Sequence, residues 1–228
     1  LTGGNPALEP EEADTKTFGV VFEPDFAKGL TVSLDFYQIE LTKAISSASV
    51  TDILTQCYNA SANPGFAFNA FCALIFRNPV TGTFNGSDAR GVFTARSNLG
   101  TYKTRGYDLK VNYRMQLRNV GLDPKWGRVD IGLDYNRVQK LEFQATPAAI
   151  NRDCNGYYSV ACANAFQSPL FKDKFVQRTT WAIGDFSLGY VWRHLGKTTE
   201  EPLAPAFLPA FSTISAYNYI DLNASWQA

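Results

Sequence analysis

The feature that most constrains this chain is a period-two alternation of apolar and polar residues along several long segments. From Tyr107 to Leu117 every second side chain is apolar, and the side chains between them carry charges or amides. Such alternation is typical of a β-strand with one apolar face and one wet face. The chain is therefore predicted to be all-β. The pattern marks seven segments: residues 15–23, 30–43, 102–118, 128–143, 174–183, 186–193 and 217–227.

The connections between these segments alternate between short and long. In an antiparallel up-and-down meander, successive connections lie at opposite ends of the strands, so all the long links share one end. Long loops are uncommon in compact soluble domains. They are normal at the outer rim of a transmembrane β-barrel, where the opposite rim has short turns. We expect an antiparallel meander of about seven long strands, part of such a barrel, with long loops on one side.

A half-buried sheet in a soluble sandwich also alternates, and it provides the alternative interpretation. Several predicted strands exceed the usual length of about 5–6 residues in soluble sheets. Their polar faces are rich in charge, and Tyr135, Trp192 and Trp226 lie near strand ends, as in the aromatic girdles of membrane barrels. These features favour a barrel. The alternative function is a secreted all-β ligand-binding module, lectin-like or adhesin-like.

Charge and histidine content disfavour two functional classes. The 21 basic and 21 acidic residues balance, so no nucleic acid partner is expected. His194 is the one histidine, and no motif supplies it with a nucleophile and an orienting partner. The chain is therefore not expected to be an enzyme, and no catalytic residue or cofactor is predicted.

The four cysteines form two close pairs, Cys57 with Cys72 and Cys154 with Cys162. Four cysteines allow three connectivities, but each pair falls within one long link, which favours two local disulfides. Metal binding is a weaker alternative, because no Cys-x-x-Cys motif is present and His194 is remote in sequence. No metal site is predicted. Two loop disulfides indicate an oxidising compartment.

The long links, residues 44–100, 144–172 and 194–216, are the predicted ligand-binding segments, although individual contacts are not assigned. Residues 49–57 of the first link predict a short helix, with Ser49 as N-cap and Asp52 in the capping-box position. Five phenylalanines of that link could grip a ligand, but packing around the Cys57–Cys72 pair is favoured. They are Phe66, Phe68, Phe71, Phe76 and Phe84.

Charged residues on the predicted strands allow two interpretations. They could line a ligand path, or they could form salt bridges in a solvated wall inside the barrel, which is favoured. The residues concerned are Asp108, Lys110, Arg114, Asp130 and Asp134.

The beginning of the chain carries a motif that resembles a known family. Residues 4–11 read Gly-Asn-Pro-Ala-Leu-Glu-Pro-Glu, and residues 13–22 continue Ala-Asp-Thr-Lys-Thr-Phe-Gly-Val-Val-Phe. This stretch resembles the second half of TonB-dependent outer-membrane receptors, where a GNPxLxPE loop returns into a barrel strand. Further similarities cover most of the chain: residues 29–39 and 44–58 resemble the next strand and outer loop, 104–108 a recurring strand opening, and 219–226 a late strand.

This resemblance implies a transport receptor in the outer membrane of a Gram-negative bacterium. Such receptors have a barrel of about 22 strands around an N-terminal plug. They take up a scarce ligand, such as a siderophore, cobalamin or a carbohydrate, with energy from the TonB–ExbB–ExbD system acting through the plug.

The resemblance also sets expectations for this piece of the receptor. Residues 1–228 are expected to be one partial barrel domain from the C-terminal half, without the plug domain, the TonB box and several strands. The expected partners are outer-membrane lipid and a small-molecule or oligosaccharide ligand. Open sheet edges further predict that the isolated fragment self-associates.

Overall fold

A computed structural model shows that a long β-meander dominates the chain. The structure describes residues 2–84, 90–147, 149–166, 170–202 and 208–227. Within them, two helices accompany the strands: α1 (Val50–Tyr58) and α2 (Val160–Phe166). The long strands are β1 (Glu12–Phe22), β2 (Leu30–Ser46), β3 (Ser97–Gln116), β4 (Arg128–Gln144), β5 (Asp173–Ile183), β6 (Phe186–Leu195) and β7 (Tyr217–Trp226). The seven predicted strands are confirmed, with ends shifted by a few residues.

The strand order confirms the predicted meander. Each long strand is hydrogen-bonded to its sequence neighbour, in the order β7-β6-β5-β4-β3-β2-β1. The pairs β4–β5, β5–β6 and β6–β7 are antiparallel. Residues directly opposite each other share a face of the sheet. Thr179, for example, lies opposite Ile131 on one side and Tyr190 on the other.

Short elements occupy the remaining segments. Thr2–Gly3 pairs with Thr94–Ala95, Ile75–Phe76 with Gly91–Val92, Tyr157–Tyr158 with Thr198–Glu200, and the last of these also with Thr213–Ile214. Arg152–Asp153 pairs with β4. The 3-10 helices are Asp25–Ala27, Pro64–Phe66, Cys72–Leu74, Leu117–Val120, Pro124–Trp126 and Pro209–Phe211. In the described part of the chain, neither α-helix has the length and apolarity needed to cross a bilayer.

One face of the meander is apolar and uncovered by protein. Phe186, Leu188, Tyr190 and Trp192 of β6 are exposed, and they lie opposite apolar residues of β7, including Leu222 at 80% exposure. A soluble sandwich would bury this face against a second sheet. A barrel wall leaves it to lipid, so the transmembrane interpretation explains the exposure.

Aromatic contacts lie at both ends of this apolar face. At the short-turn end, Trp181 stacks on Trp126 with ring centroids 5.9 Å apart, and its indole N–H donates to the Trp126 carbonyl. At the long-link end, Phe175 meets Trp192 edge to face at 4.8 Å. The six residue steps from Phe175 to Trp181 span roughly 20 Å at about 3.4 Å per step. That spacing suits an apolar band about 25 Å tall.

Contacts divide the chain into two compact units, which we describe separately. The loop unit comprises Leu1–Asp14, Ile39–Lys103 and Glu142–Arg152. The sheet unit comprises Thr15–Gln38, Thr104–Leu141 and Asp153–Ala228.

Gly106 explains the motif at residues 104–108. A Cβ on this residue would collide with the backbone carbonyl oxygen of Arg137 and would lie 2.6 Å from the Tyr37 hydroxyl oxygen. Glycine therefore lets a neighbouring strand and an aromatic side chain approach β3 closely. The adjacent Gly132 of β4 is different, because a Cβ there would meet only Asn112 Oδ1, at 3.7 Å.

We expect Gly106→Val to lower the free energy of unfolding by about 1–3 kcal/mol, because the backbone it would hit cannot move aside. Gly132→Val is the matched control and should have a much smaller effect. The measurement is the thermal unfolding midpoint of the folded protein in detergent. Equal midpoints for the two variants would contradict this explanation of the motif.

Candidate ligand-binding site

The loop unit is built around helix α1. The Ser49 hydroxyl accepts a hydrogen bond from the Asp52 N–H at 3.0 Å, and the Asp52 carboxylate accepts from the Ser49 backbone N–H at 3.4 Å. This is the predicted capping box, and it fixes the start of the helix. The helix buries Ile53 and Cys57. Cys57 is joined to Cys72 by a disulfide, as the local pairing predicts, with a Cα–Cα distance of 5.1 Å.

A buried asparagine shapes the loop after α1. The Asn63 side-chain N–H groups donate to the carbonyls of Cys57 and Ala67, both at 2.9 Å. The Asn63 carbonyl accepts from the Phe66 N–H at 3.0 Å. Within this turn Phe66 has a φ of +54°, which is rare for a bulky residue.

The loop phenylalanines do not all pack together. Phe66 is 59% exposed and Phe68 is 80% exposed. The packing interpretation is therefore wrong for these two residues, because the turn held by Asn63 leaves their rings in solvent. Phe84 instead lies under the guanidinium of Arg77, which is 4.0 Å from the ring centroid.

Two asparagines attach the beginning of the chain to the rest of the loop unit. Asn5, from the resemblance motif, accepts from the Ala7 N–H at 2.9 Å and donates to the Arg96 carbonyl at 3.1 Å. Asn98 accepts from the Glu9 N–H at 2.8 Å and donates to the Glu9 carbonyl at 2.7 Å. Residues 4–11 are thus held by side-chain amides at both ends.

A cavity of about 480 Å³ lies within the loop unit. Most of its lining is apolar, and Arg96 is the one charged residue among the described lining residues. Thr146 also lines it, and its buried hydroxyl oxygen has no hydrogen-bond partner among the described residues. The largest apolar contributors are Ile53, Phe71, Leu74, Phe93 and Leu99. Small-molecule sites have this composition and occupy roughly 300–1,000 Å³.

Two titratable groups of the loop unit have shifted pKa values, and both lie outside the lipid-facing parts of the strands. The hydrogen bond and charge of Glu12, 2.6 Å away, raise the pKa of Lys43. Burial, and then the charge of Glu11, raises the pKa of Tyr102. Lys43 is therefore protonated and Tyr102 neutral near pH 7, so neither can act as a general base there.

Several charged residues of the sheet unit form ion pairs, most of them between neighbouring strands. The Asp134 carboxylate accepts from Arg178 at 2.8 Å and lies 3.5 Å from Lys110. Asp130 binds Arg114 at 2.7 Å and Arg128 at 3.0 Å. Such exposed pairs contribute about 0–1 kcal/mol each. Their arrangement is that of a solvated wall.

A second cavity, of about 590 Å³, lies against this wall in the sheet unit. Its lining includes both signs of charge. The charged lining residues are Asp35, Asp108, Lys110, Asp134, Lys174 and Arg193. Asp108 also accepts from the Asn136 amide at 2.7 Å. The site is therefore polar and electrostatically compensated.

His194 lies at the end of β6 next to this cavity. Its Nδ1 is 2.9 Å from Asn218 Oδ1, its Nε2 is 3.6 Å from Asp173 Oδ2, and its ring stacks on Phe175 at 4.9 Å. An amide, a carboxylate and an aromatic ring are the surroundings of a structural histidine. Among the described residues, no cluster of three or more His, Cys, Asp or Glu side chains could hold a metal ion.

The second and third long links join each other, which the sequence did not reveal. Tyr157–Tyr158 from one link pairs with Thr198–Glu200 from the other. The Ser159 hydroxyl donates to the Glu201 carboxylate at 2.6 Å, and Glu201 is 1% exposed. The Cys154–Cys162 disulfide, with a Cα–Cα distance of 5.6 Å, lies beside this contact. Parts of the predicted binding links lie outside the described residues: 85–89, 148, 167–169 and 203–207.

Comparisons with known proteins agree with this architecture. A family model described as TonB dependent receptor-like, beta-barrel matches residues 1–228. Sequence comparison with curated proteins gave no match.

Several solved structures share the fold. The FrpB iron transporter from Neisseria meningitidis, in its apoprotein form, is 11% identical with a TM-score of 0.57, covering 100% of this chain and 26% of that one. A mutant ferric enterobactin receptor from Pseudomonas aeruginosa, in complex with enterobactin, is 13% identical with a TM-score of 0.57 and coverages of 99% and 25%. The siderophore receptor PirA from Acinetobacter baumannii is 11% identical with a TM-score of 0.55 and coverages of 99% and 27%. At these identities the similarity shows the fold alone, and this chain spans about a quarter of each structure.

The Cys57–Cys72 cross-link spans 15 residues of the loop unit. We expect the double variant Cys57→Ala, Cys72→Ala to lose about 3 kcal/mol of local stability. The strands should stay folded, because neither cysteine lies in one. The measurement is limited proteolysis with mass spectrometry, which should show faster cleavage between residues 58 and 72.

The matched control is the double variant Cys154→Ala, Cys162→Ala, whose cross-link spans 8 residues of the sheet unit. It should leave cleavage between residues 58 and 72 slow. The same cleavage rate in both variants would show that the first disulfide does not stabilise the loop.

Proposed function

This chain belongs to the TonB-dependent receptor-like β-barrel family, and on that basis we propose that it forms part of a receptor that takes up a scarce ligand. It is an outer-membrane protein of a Gram-negative bacterium. We propose that residues 1–228 are a partial barrel domain of a longer receptor. The observation that supports this most strongly is the meander itself, which has an uncovered apolar face and a charged opposite face.

The proposed mechanism has two stages. The long links, residues 44–100, 144–172 and 194–216, capture the ligand outside the cell. The ligand then passes along the charged wall when the plug domain of the whole receptor is moved by the TonB–ExbB–ExbD system. In this scheme the partners are outer-membrane lipid, the energy-coupling proteins and a small-molecule or oligosaccharide ligand.

The ligand class is proposed in order of support. The similar structures are an iron transporter, a ferric enterobactin receptor and a siderophore receptor, which favours an iron-siderophore. Cobalamin and carbohydrates come next. The disulfide-bonded links suit any of these ligands, because disulfides persist in an oxidising compartment and would keep the binding surface stable there.

Uptake measurements on the source bacterium test this function. Deleting the receptor gene should reduce uptake of one labelled ligand from a panel of ferric siderophores, cobalamin and oligosaccharides. The same loss should occur in a strain with the intact gene but without TonB. Uptake of a porin-permeable sugar is the control and should not change. Unchanged uptake of every panel member in the deletion strain would refute the transport function.

The isolated segment should associate with copies of itself. Strands β1 and β7 end the sheet order, and their apolar side chains are exposed, with Phe18 of β1 at 70%. Unpaired sheet edges and uncovered apolar faces favour association in water. Light scattering of residues 1–228 without detergent should show oligomers, and detergent should reduce their size. A monodisperse monomer without detergent would contradict this expectation.

A further inference from the structure

We propose that the cavity in the loop unit binds a small, mostly apolar molecule that carries one negative charge. The identification of this molecule with the transported ligand rests on the proposed function, whereas the binding itself does not. The proposal depends on the construction of the cavity and on the charge of its lining.

The cavity is formed by elements that are cross-linked or hydrogen-bonded together. Ile53 is on the buried side of α1, which the Cys57–Cys72 disulfide holds to the neighbouring turn. Phe93 follows a short strand, and its N–H donates to the Leu74 carbonyl at 2.8 Å. A pocket with walls held in this way exists before the ligand arrives, which limits the entropy lost on binding.

The charge of the lining selects the ligand. Arg96 is the one charged residue among the described lining residues, and no carboxylate accompanies it. Its backbone carbonyl is held by Asn5 at 3.1 Å. An isolated cation beside an apolar cavity favours a ligand with one anionic group, because a second negative charge would find no partner there.

Thr146 adds no polar contact to the ligand, because its hydroxyl oxygen is buried even when the cavity is empty. The sheet-unit cavity offers no comparable selection, because Asp108 and Asp134 stand beside Lys110 and Lys174 in its lining.

Two dyes that differ by one sulfonate test the proposal. Anilinonaphthalene sulfonate has the required apolar rings and single negative charge, and N-phenylnaphthylamine has the rings alone. Each is titrated by fluorescence into the full-length receptor in lipid nanodiscs. The reference is the variant Ala70→Trp. Ala70 lines the cavity and is exposed, so the larger tryptophan side chain should fill the cavity. Subtracting the fluorescence measured with Ala70→Trp from that of the wild type removes the signal of dye dissolved in lipid.

The wild-type receptor should bind both dyes saturably, and Ala70→Trp should abolish this component. Arg96→Gln should lower the affinity for the sulfonate dye by roughly tenfold, because one charge-assisted contact is lost. It should change the affinity for the neutral dye by less than about twofold. Arg90→Gln is the matched control, since Arg90 is also in the loop unit but contacts Phe76 rather than the cavity.

Other outcomes would overturn the proposal. Binding that is the same in the wild type and Ala70→Trp would mean that the cavity takes neither dye. An equal effect of Arg96→Gln on both dyes would mean that Arg96 does not select charge. If Ala70→Trp does not fold, the comparison of Arg96→Gln with Arg90→Gln still decides the role of the charge.

The uptake experiment separates this proposal from the transport function. Charge-dependent dye binding without TonB-dependent uptake of any panel ligand would refute transport and keep the binding site. TonB-dependent uptake without saturable dye binding would refute the cavity site and keep transport.

Discussion

The structure depends first on the backbone hydrogen bonds of the meander. In a bilayer no water is available to satisfy an N–H or C=O group, so every one must be paired within the protein. Long strands that pair with both sequence neighbours, from β2 to β6, meet this requirement where they are paired. Their side chains then divide by period two, apolar toward lipid and charged toward water. The sheet therefore needs no buried protein core, and its largest apolar side chains remain exposed.

The loop unit is stabilised by other means. Its small buried set includes Ile53, Cys57 and Cys72. Side-chain amides supply much of the remaining order: Asn63 and Asn98 each bind two backbone carbonyls. A disulfide adds the covalent constraint that a small core needs. Such a loop can hold exposed aromatic rings and an open cavity without unfolding.

The strands could be predicted from the sequence because each has one apolar face and one polar face. Apolar and polar residues therefore alternate with period two along the strand. Helix α1 could be predicted as well, since its capping box is local. Helix α2 was missed because seven residues with weak apolar periodicity carry little signal, although Ser159 caps it by accepting from the Cys162 N–H at 3.0 Å. The cavity residues Arg96 and Thr146 are 50 positions apart in sequence. No local pattern relates residues that only tertiary contacts bring together.

The two cavities differ in a way that fits two stages of transport. In the proposed receptor, the first site must discriminate among ligands, and discrimination requires a lining with few polar groups in fixed places. The loop-unit cavity has that lining. A transport path must instead release its ligand, so strong binding to unpaired charges would slow the passage of the ligand. The sheet-unit wall avoids them, because Asp134 is shared by Lys110 and Arg178, and Asp130 is shared by two arginines. Charges that are paired in this way keep the wall hydrated, and they leave no unpaired charge that would bind one ligand strongly.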